Sequence, residues 1–207
     1  SSDIQQAVVY GYVWDVFNET VSTPFSIQTS FSGKSVPMIA DIDNDGALEI
    51  IIQSGVSSSN DKIQAYKYHA NTQTFSLIWG LAPQEDSYSN GVTSFDFNQD
   101  GLLELVISDE IALKIVNGSG KSHLTQNDTV PVYTLGSLPF TEITIMQYPL
   151  IADVDADGAA EIIAVGSNRL NIIKSSGTPW APARPVWNQY MYNVTNVNED
   201  LSVPLHL

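Results

Sequence analysis

The stretch Pro37-Met-Ile-Ala-Asp41-Ile-Asp43-Asn-Asp45-Gly46-Ala-Leu-Glu49-Ile-Ile-Ile-Gln-Ser54 returns as Pro149-Leu-Ile-Ala-Asp153-Val-Asp155-Ala-Asp157-Gly158-Ala-Ala-Glu161-Ile-Ile-Ala-Val-Gly166, identical at 11 of 18 positions. A looser copy lies between them: Val92-Thr-Ser-Phe-Asp96-Phe-Asn98-Gln-Asp100-Gly101-Leu-Leu-Glu104-Leu-Val-Ile-Ser-Asp109. The copies begin 55 and then 57 residues apart. Self-similarity at such a period marks a repeat architecture, each copy being one supersecondary unit that needs its neighbours to bury its apolar face.

Working outward from the acidic loops, every flanking run reads as strand. A short apolar run precedes each loop: 36–42, 92–97 and 149–154. A continuous apolar run follows it, as in Glu49-Ile-Ile-Ile and Glu161-Ile-Ile-Ala-Val, the pattern of a strand covered on both faces. Third runs follow at 62–68, 112–116 and 170–174, then polar hairpin signals at Asn71-Thr-Gln-Thr, Asn117-Gly-Ser-Gly and Ser175-Ser-Gly-Thr. A fourth run is clear at 74–79, present at 130–135 and irregular after Trp180. No stretch keeps a 3.6-residue period. Four strands in roughly 50 residues is the arithmetic of a β-propeller blade. The expected fold is all-β: about three four-stranded blades plus a half blade, a partial propeller over 1–207. Residues 1–30 form the outer hairpin of a preceding blade, 36–82 and 91–140 are blades, and 148–207 is the last blade with a C-terminal segment. An open β-sandwich or a solenoid of repeats is the alternative. Propellers close with about four to eight blades, so other blades or another chain would have to complete the ring. With Ser1 in place of an initiator Met and no signal-type apolar run after it, the chain reads as a piece of a longer protein.

The loop pattern Asp-x-Asp-x-Asp-Gly-x-x-Glu carries specific chemistry. Carboxylates at positions 1, 3 and 5 of a tight loop converge, Gly at position 6 allows the turn, and position 7 offers a carbonyl. Hard oxygens at this density suit Ca²⁺, which takes about six to eight of them. Magnesium keeps more of its waters, and transition metals prefer imidazole or thiolate. The helical calcium hand starts the same way but needs a bidentate Glu at position 12. Position 12 here is Ile52, Ile107 and Ala164, and the acidic residue falls at position 9 instead. A helical hand is therefore rejected.

The three copies resemble the FG-GAP or VCBS-type repeat of integrin α-subunit propellers and of many secreted bacterial surface proteins. The resemblance covers about 165 residues from Val36 onward. It implies that the acidic loop joins the first two strands of a blade and binds Ca²⁺. Carried over residue by residue, the metal ligands are Asp41, Asp43, Asp45 and Glu49; Asp96, Asn98, Asp100 and Glu104; and Asp153, Asp155, Asp157 and Glu161. Two departures stand out: the last ligand is Glu where the family commonly has Asp, and Asn98 replaces one carboxylate. With three carboxylates in place of four, the second loop is expected to bind most weakly. The expected cofactor is Ca²⁺, two to three ions. The sites hold 11 of the 23 acidic residues, and three ions would move the formal charge from −15 to −9.

Composition narrows the functional classes. Eight Lys and Arg against 23 Asp and Glu cannot assemble the basic face that nucleic acid requires, so no nucleic-acid partner is expected. No run approaches the roughly 18 apolar residues of a spanning helix, so no membrane insertion is expected. Cysteine is absent, which removes disulfides and thiolate catalysis. His69, His123 and His206 form no ligand pattern, and no Gly-x-Ser-x-Gly elbow is present. Carboxylates are plentiful, but a cation in the loops would hold them ionised and unable to act as acids. No catalytic residues are assigned. Trp14, Trp79, Trp180 and Trp187, with Tyr66, Tyr68, Tyr88, Tyr190 and Tyr192, are candidates for stacking on sugars or anchoring an interface, set against simple packing between blades. Trp180 and Trp187 flank Thr178-Pro-Trp-Ala-Pro-Ala-Arg-Pro, where a regular fourth strand should be. The tail from Ala183 to Pro204 resembles a segment that follows such repeats in large secreted proteins of Bacteroidetes-type bacteria. Asn-x-Ser/Thr sequons begin at Asn18, Asn117, Asn127 and Asn193, acceptors only if the source is eukaryotic.

These readings converge on a calcium-binding, non-catalytic module, secreted or at the cell surface. Its partners would be a protein or glycan there, plus remaining blades or a partner chain, in adhesion or assembly. The alternatives are a carbohydrate-binding lectin and a non-catalytic part of a polysaccharide-degrading enzyme.

Overall fold

Runs of Ile, Val and Leu broken by Gly, Asn and Asp favour short antiparallel strands joined by tight turns, and the computed structural model consists of them. It describes residues 8–11, 14–15, 20–21, 25–28, 37–53, 63–69, 71–72, 74–81, 91–108, 113–118, 132–134, 148–166, 169–187, 197–198 and 200–202. Among these, all regular structure is strand, and no helix is long and apolar enough to cross a membrane.

The N-terminal part pairs β1 (Val8–Gly11) with β4 (Phe25–Gln28), and β2 (Trp14–Asp15) with β3 (Thr20–Val21). Val8 faces Gln28 and Trp14 faces Val21, so the two ladders nest as one hairpin with a one-residue offset between them. The first sheet is a meander of β5 (Met38–Ala40), β6 (Glu49–Gln53), β7 (Ile63–His69) and β8 (Thr74–Leu81), with β4 lying against β8. The second repeats it with β9 (Val92–Phe95), β10 (Glu104–Ser108), β11 (Leu113–Asn117) and β12 (Val132–Thr134). The third contains β13 (Leu150–Ala152), β14 (Glu161–Gly166) and β15 (Arg169–Ile173).

The irregular stretch after Trp180 adds no fourth strand to the third sheet among the described residues. Pro179, Pro182 and Pro185 have no N–H to give to a ladder, which keeps this segment out of regular pairing. It runs instead as a strap tying the third repeat to the second. Ala181 N–H donates to Phe97 O at 2.9 Å, while Ala160 N–H donates to Ala181 O at 3.0 Å. Asp153 N–H donates to Arg184 O at 3.1 Å.

The sheets stack as layers. Ile51, Ile63, Ala65 and Trp79 of the first sheet pack with Val92, Leu105, Ile107 and Val116 of the second. On its other face the second sheet presents Val106, Leu113 and Ile115 to Ile151, Ile162 and Ala164 of the third. β10 is buried along its whole length, as its unbroken apolar run requires. β14 has a similar run but differs: Val165 is 56% exposed. The third sheet has a neighbouring layer on one side only among the described residues. Gly118 leaves no room for a side chain: a Cβ there would run into Leu103 O and lie 3.0 Å from Ile42 Cβ, and its own carbonyl accepts Trp79 Nε1–H at 2.8 Å.

Candidate metal centres

Each acidic loop links the first two strands of its sheet, and the three loops share one hydrogen-bond scheme. The position-1 carboxylate accepts the glycine N–H: Asp41 from Gly46 at 2.9 Å, Asp96 from Gly101 at 3.0 Å and Asp153 from Gly158 at 3.0 Å. The position-5 carboxylate accepts the N–H two residues on: Asp45 from Ala47, Asp100 from Leu102 and Asp157 from Ala159, at 2.8–3.0 Å. Closing so tight a loop forces left-handed backbone at two places. Asn44, Gln99 and Ala156 have φ of 56–62°, and Gly46, Gly101 and Gly158 have φ of 85–90°. Only glycine takes the latter without strain. Gly158→Ala, whose Cβ would meet nothing within 4 Å, is therefore expected to cost about 1–2 kcal/mol through φ alone. Urea denaturation checks this; an unchanged midpoint would show that the loop can relax its backbone.

The position-9 glutamates complete each centre from the first residue of the second strand. Glu49, Glu104 and Glu161 are all buried, and each Oε2 accepts a backbone N–H of its own loop at 3.0 Å, from Ile42, Phe97 and Val154 respectively. Buried Glu49 Oε1 and Glu161 Oε1 have no hydrogen-bond partner, nor do Asp43 Oδ1 and Asp153 Oδ1. Orphaned buried carboxylate oxygens are costly, and a cation is the group that relieves them. Asp41, Asp43 and Asp45 offer oxygens lying within 4.8 Å of one another, as do Asp153, Asp155 and Glu161. An all-oxygen donor set with glycine-turned backbone fits a hard divalent ion. In the second loop the Asn98 amide donates to Asp100 Oδ2 at 3.1 Å, and Asp100 N–H donates to Asn98 Oδ1 at 2.9 Å.

Two further residues belong to these centres. Lys67, on β7, pairs with Glu49 across the sheet. Its Nζ hydrogen-bonds Asp45 Oδ2 and lies 3.6 Å from Asp43 Oδ2 and 3.5 Å from Glu49 Oε1. Lys174, directly after β15, donates to Asp155 Oδ2 at 2.7 Å and Asp157 Oδ2 at 3.3 Å. The hydrogen bond to Asp45, with the charges of Asp43 and Glu49, holds the Lys67 ammonium above the ordinary lysine range. Bonds to Asp155 and Asp157 do the same for Lys174. Conversely, Asp45 and Asp155 are held below the usual carboxylate range by their lysines. Burial pushes the Glu49 carboxyl upward, with the Ile42 N–H opposing it. The ladders place Asn117 opposite Glu104 as they place Lys67 opposite Glu49, and Lys174 follows Ile173, the partner of Ile162, by one residue. Loop spacing does not reveal these partners. The signal was the scarcity of lysine in so acidic a chain, combined with counting strand register back from each Glu.

Other candidates fall to packing. Trp79 lies in the core, Trp180 sits edge-on to Phe97 with centroids 4.8 Å apart, and Trp187 packs against the same cluster. Tyr66 is buried, and Tyr68 meets Phe75 at 4.9 Å. Asn117 is also buried, which closes that sequon to glycosylation. His69 bonds Ser76 Oγ at 2.7 Å on an exposed face. The Trp14 side chain, Tyr88, Tyr190, Tyr192, His123, His206 and the sequons at Asn18, Asn127 and Asn193 lie outside the described residues.

The family model of the FG-GAP-like repeat matches residues 41–107, from the first acidic loop through the strand after the second. Over that stretch the chain is similar to an FG-GAP-like repeat. The third copy, from Pro149, continues the same pattern with the identity to the first already noted. Among solved structures, the V. cholerae biofilm matrix protein Bap1 is similar over 76% of this chain, with a TM-score of 0.52 and 22% identity. That likeness shows a shared fold, and it spans 24% of the Bap1 chain. No curated protein matches the sequence. The acidic loop and its buried Glu form one unit seen three times.

Proposed function

We propose that the chain is a calcium-stiffened stretch of β-propeller in a secreted or cell-surface protein, acting as a non-catalytic module for protein or glycan binding and assembly. The carrying observation is buried Glu161, with one oxygen tied to its own loop and the other without a hydrogen bond beside Asp153 and Asp155. Asp41, Asp43, Asp45 and Glu49 would hold one ion and Asp153, Asp155, Asp157 and Glu161 another, with Asp96, Asn98, Asp100 and Glu104 a third. A bound Ca²⁺ would supply charge neutralisation and a cross-link between the first two strands. Sites of this type fill at the near-millimolar calcium found outside cells, which supports an extracellular setting, as does the fold shared with a biofilm matrix protein.

The open face of the third sheet supports a larger stack. Ile163, Val165, Leu170 and Ile172 share the Glu161 side of that sheet. Their counterparts Val106, Ser108, Leu113 and Ile115 are buried under the third sheet, and Ile51, Ile63 and Ala65 under the second. Leu170 at 64% and Ile172 at 57% exposure form the surface on which a further blade would pack. Equilibrium dialysis against radioactive calcium tests the metal reading. Two to three ions per chain are expected, and none at millimolar calcium would sink it.

A further inference from the structure

The lysines at the metal centres do more than balance charge. Lys67 Nζ meets Asp43 Oδ2, Asp45 Oδ2 and Glu49 Oε1, and Lys174 Nζ meets Asp155 Oδ2 and Asp157 Oδ2. These are the carboxylates a divalent ion would use. Each ammonium rides on a flexible four-carbon stem, rooted on the third strand for Lys67 and just past its end for Lys174, so it can reach into its centre or swing out to water. The second centre has Asn117 across from its Glu104. Four carboxylates and one ammonium give a formal charge of −3 in the first and third centres.

We infer that Lys67 and Lys174 are tethered competitor cations that set the calcium affinity of their own loops, a role resting on the calcium reading above. An ion entering the first or third loop displaces an ammonium from shared oxygens. The ammonium costs affinity because it repels the ion and gives up its own hydrogen bonds. Swung about 10 Å out into water, the ammonium still repels a divalent ion, and with the hydrogen bonds it gives up the cost is about tenfold in binding. The competition therefore offsets part of the affinity that a fourth carboxylate gives these two loops. It also keeps the four carboxylates of an ion-depleted loop from repelling one another.

Calcium titration calorimetry on the 207-residue chain, comparing wild type with K67M, K174M and K67R, tests this. Methionine keeps the apolar stem and removes the charge. Each methionine variant is expected to bind one ion about tenfold more tightly than wild type, while melting at a lower temperature in chelator. K67R, which restores the charge, should reverse most of the K67M effect. Tight binding by the variants where the wild type binds weakly would support the inference outright. Wild-type binding that both methionine variants leave unchanged or weakened would overturn it and leave the calcium reading standing. No binding by wild type or variants would remove the calcium reading and the inference together. Melting in chelator shows whether each variant is folded, so weakened binding cannot be mistaken for misfolding.

Discussion

Chelating the calcium-loaded chain is expected to lower its melting temperature by about 5–10 °C for each loop emptied. A ligand present at a hundred times its dissociation constant stabilises the folded state by about 2.7 kcal/mol. For a domain of this size, each kcal/mol moves the midpoint by about 2–4 °C. The structure says why these loops should respond so strongly. Glu49 at 0% and Glu161 at 1% exposure keep a carboxylate oxygen buried without a hydrogen bond, beside two or three aspartates. Removing the cation leaves like charges facing one another in a site that water reaches poorly. Lys67 and Lys174 offset part of that cost, so the chain should soften rather than unfold outright. Magnesium at the same concentration should restore less, because it holds its own waters and demands octahedral geometry. Thermal melts followed by circular dichroism, with and without chelator, make the measurement. Coincident curves would mean that the loops hold their shape by hydrogen bonds alone.

The Glu161→Gln variant should change the sign of its effect with calcium. Glutamine is isosteric, and its amide oxygen can still accept the Val154 N–H. Its NH₂ group would take the place of Oε1, beside Asp153 and Asp155, and donate to them. In chelator the variant is therefore expected to gain about 1 kcal/mol, having exchanged a like charge for a donor. In millimolar calcium it should lose about 3 kcal/mol against wild type, because one ligand becomes an obstructing amide and the third centre no longer fills. Urea denaturation under both conditions separates the two roles. Equal destabilisation in both would assign Glu161 to holding Val154 and nothing more.

Much of the fold could be read from the chain because its information is local. The Asp-Gly-Glu spacing, the turn glycines and the apolar runs each fall within about ten residues, and β5 to β7, β9 to β11 and β13 to β15 formed where those runs stand. The candidate ligands are legible for the same reason: positions 1, 3, 5 and 9 of one loop reach one another without help from the rest of the molecule. Trp180 and Trp187 show the opposite. They stood out as ligand candidates because their segment breaks the strand pattern. In the structure that segment is a proline-interrupted strap between repeats, with both rings used for packing.

Sequence alone thus established an all-β repeat with three acidic loops, through short-range spacing and internal identity. Tertiary structure decided which glutamate oxygens are buried without a hydrogen bond, which face of the third sheet is open among the described residues, and which residues stand across from Glu49 and Glu104. Lys67 follows Glu49 by 18 residues, whereas Asn117 and Lys174 follow their glutamates by 13. No single spacing links them, because the connection between the second and third strands differs in length. Backbone pairing sets Lys67 across from Glu49 and Asn117 across from Glu104, and puts Lys174 next in line after the Ile162–Ile173 pair. A ladder aligns residues by hydrogen bonds between strands and is indifferent to the length of chain that joins them.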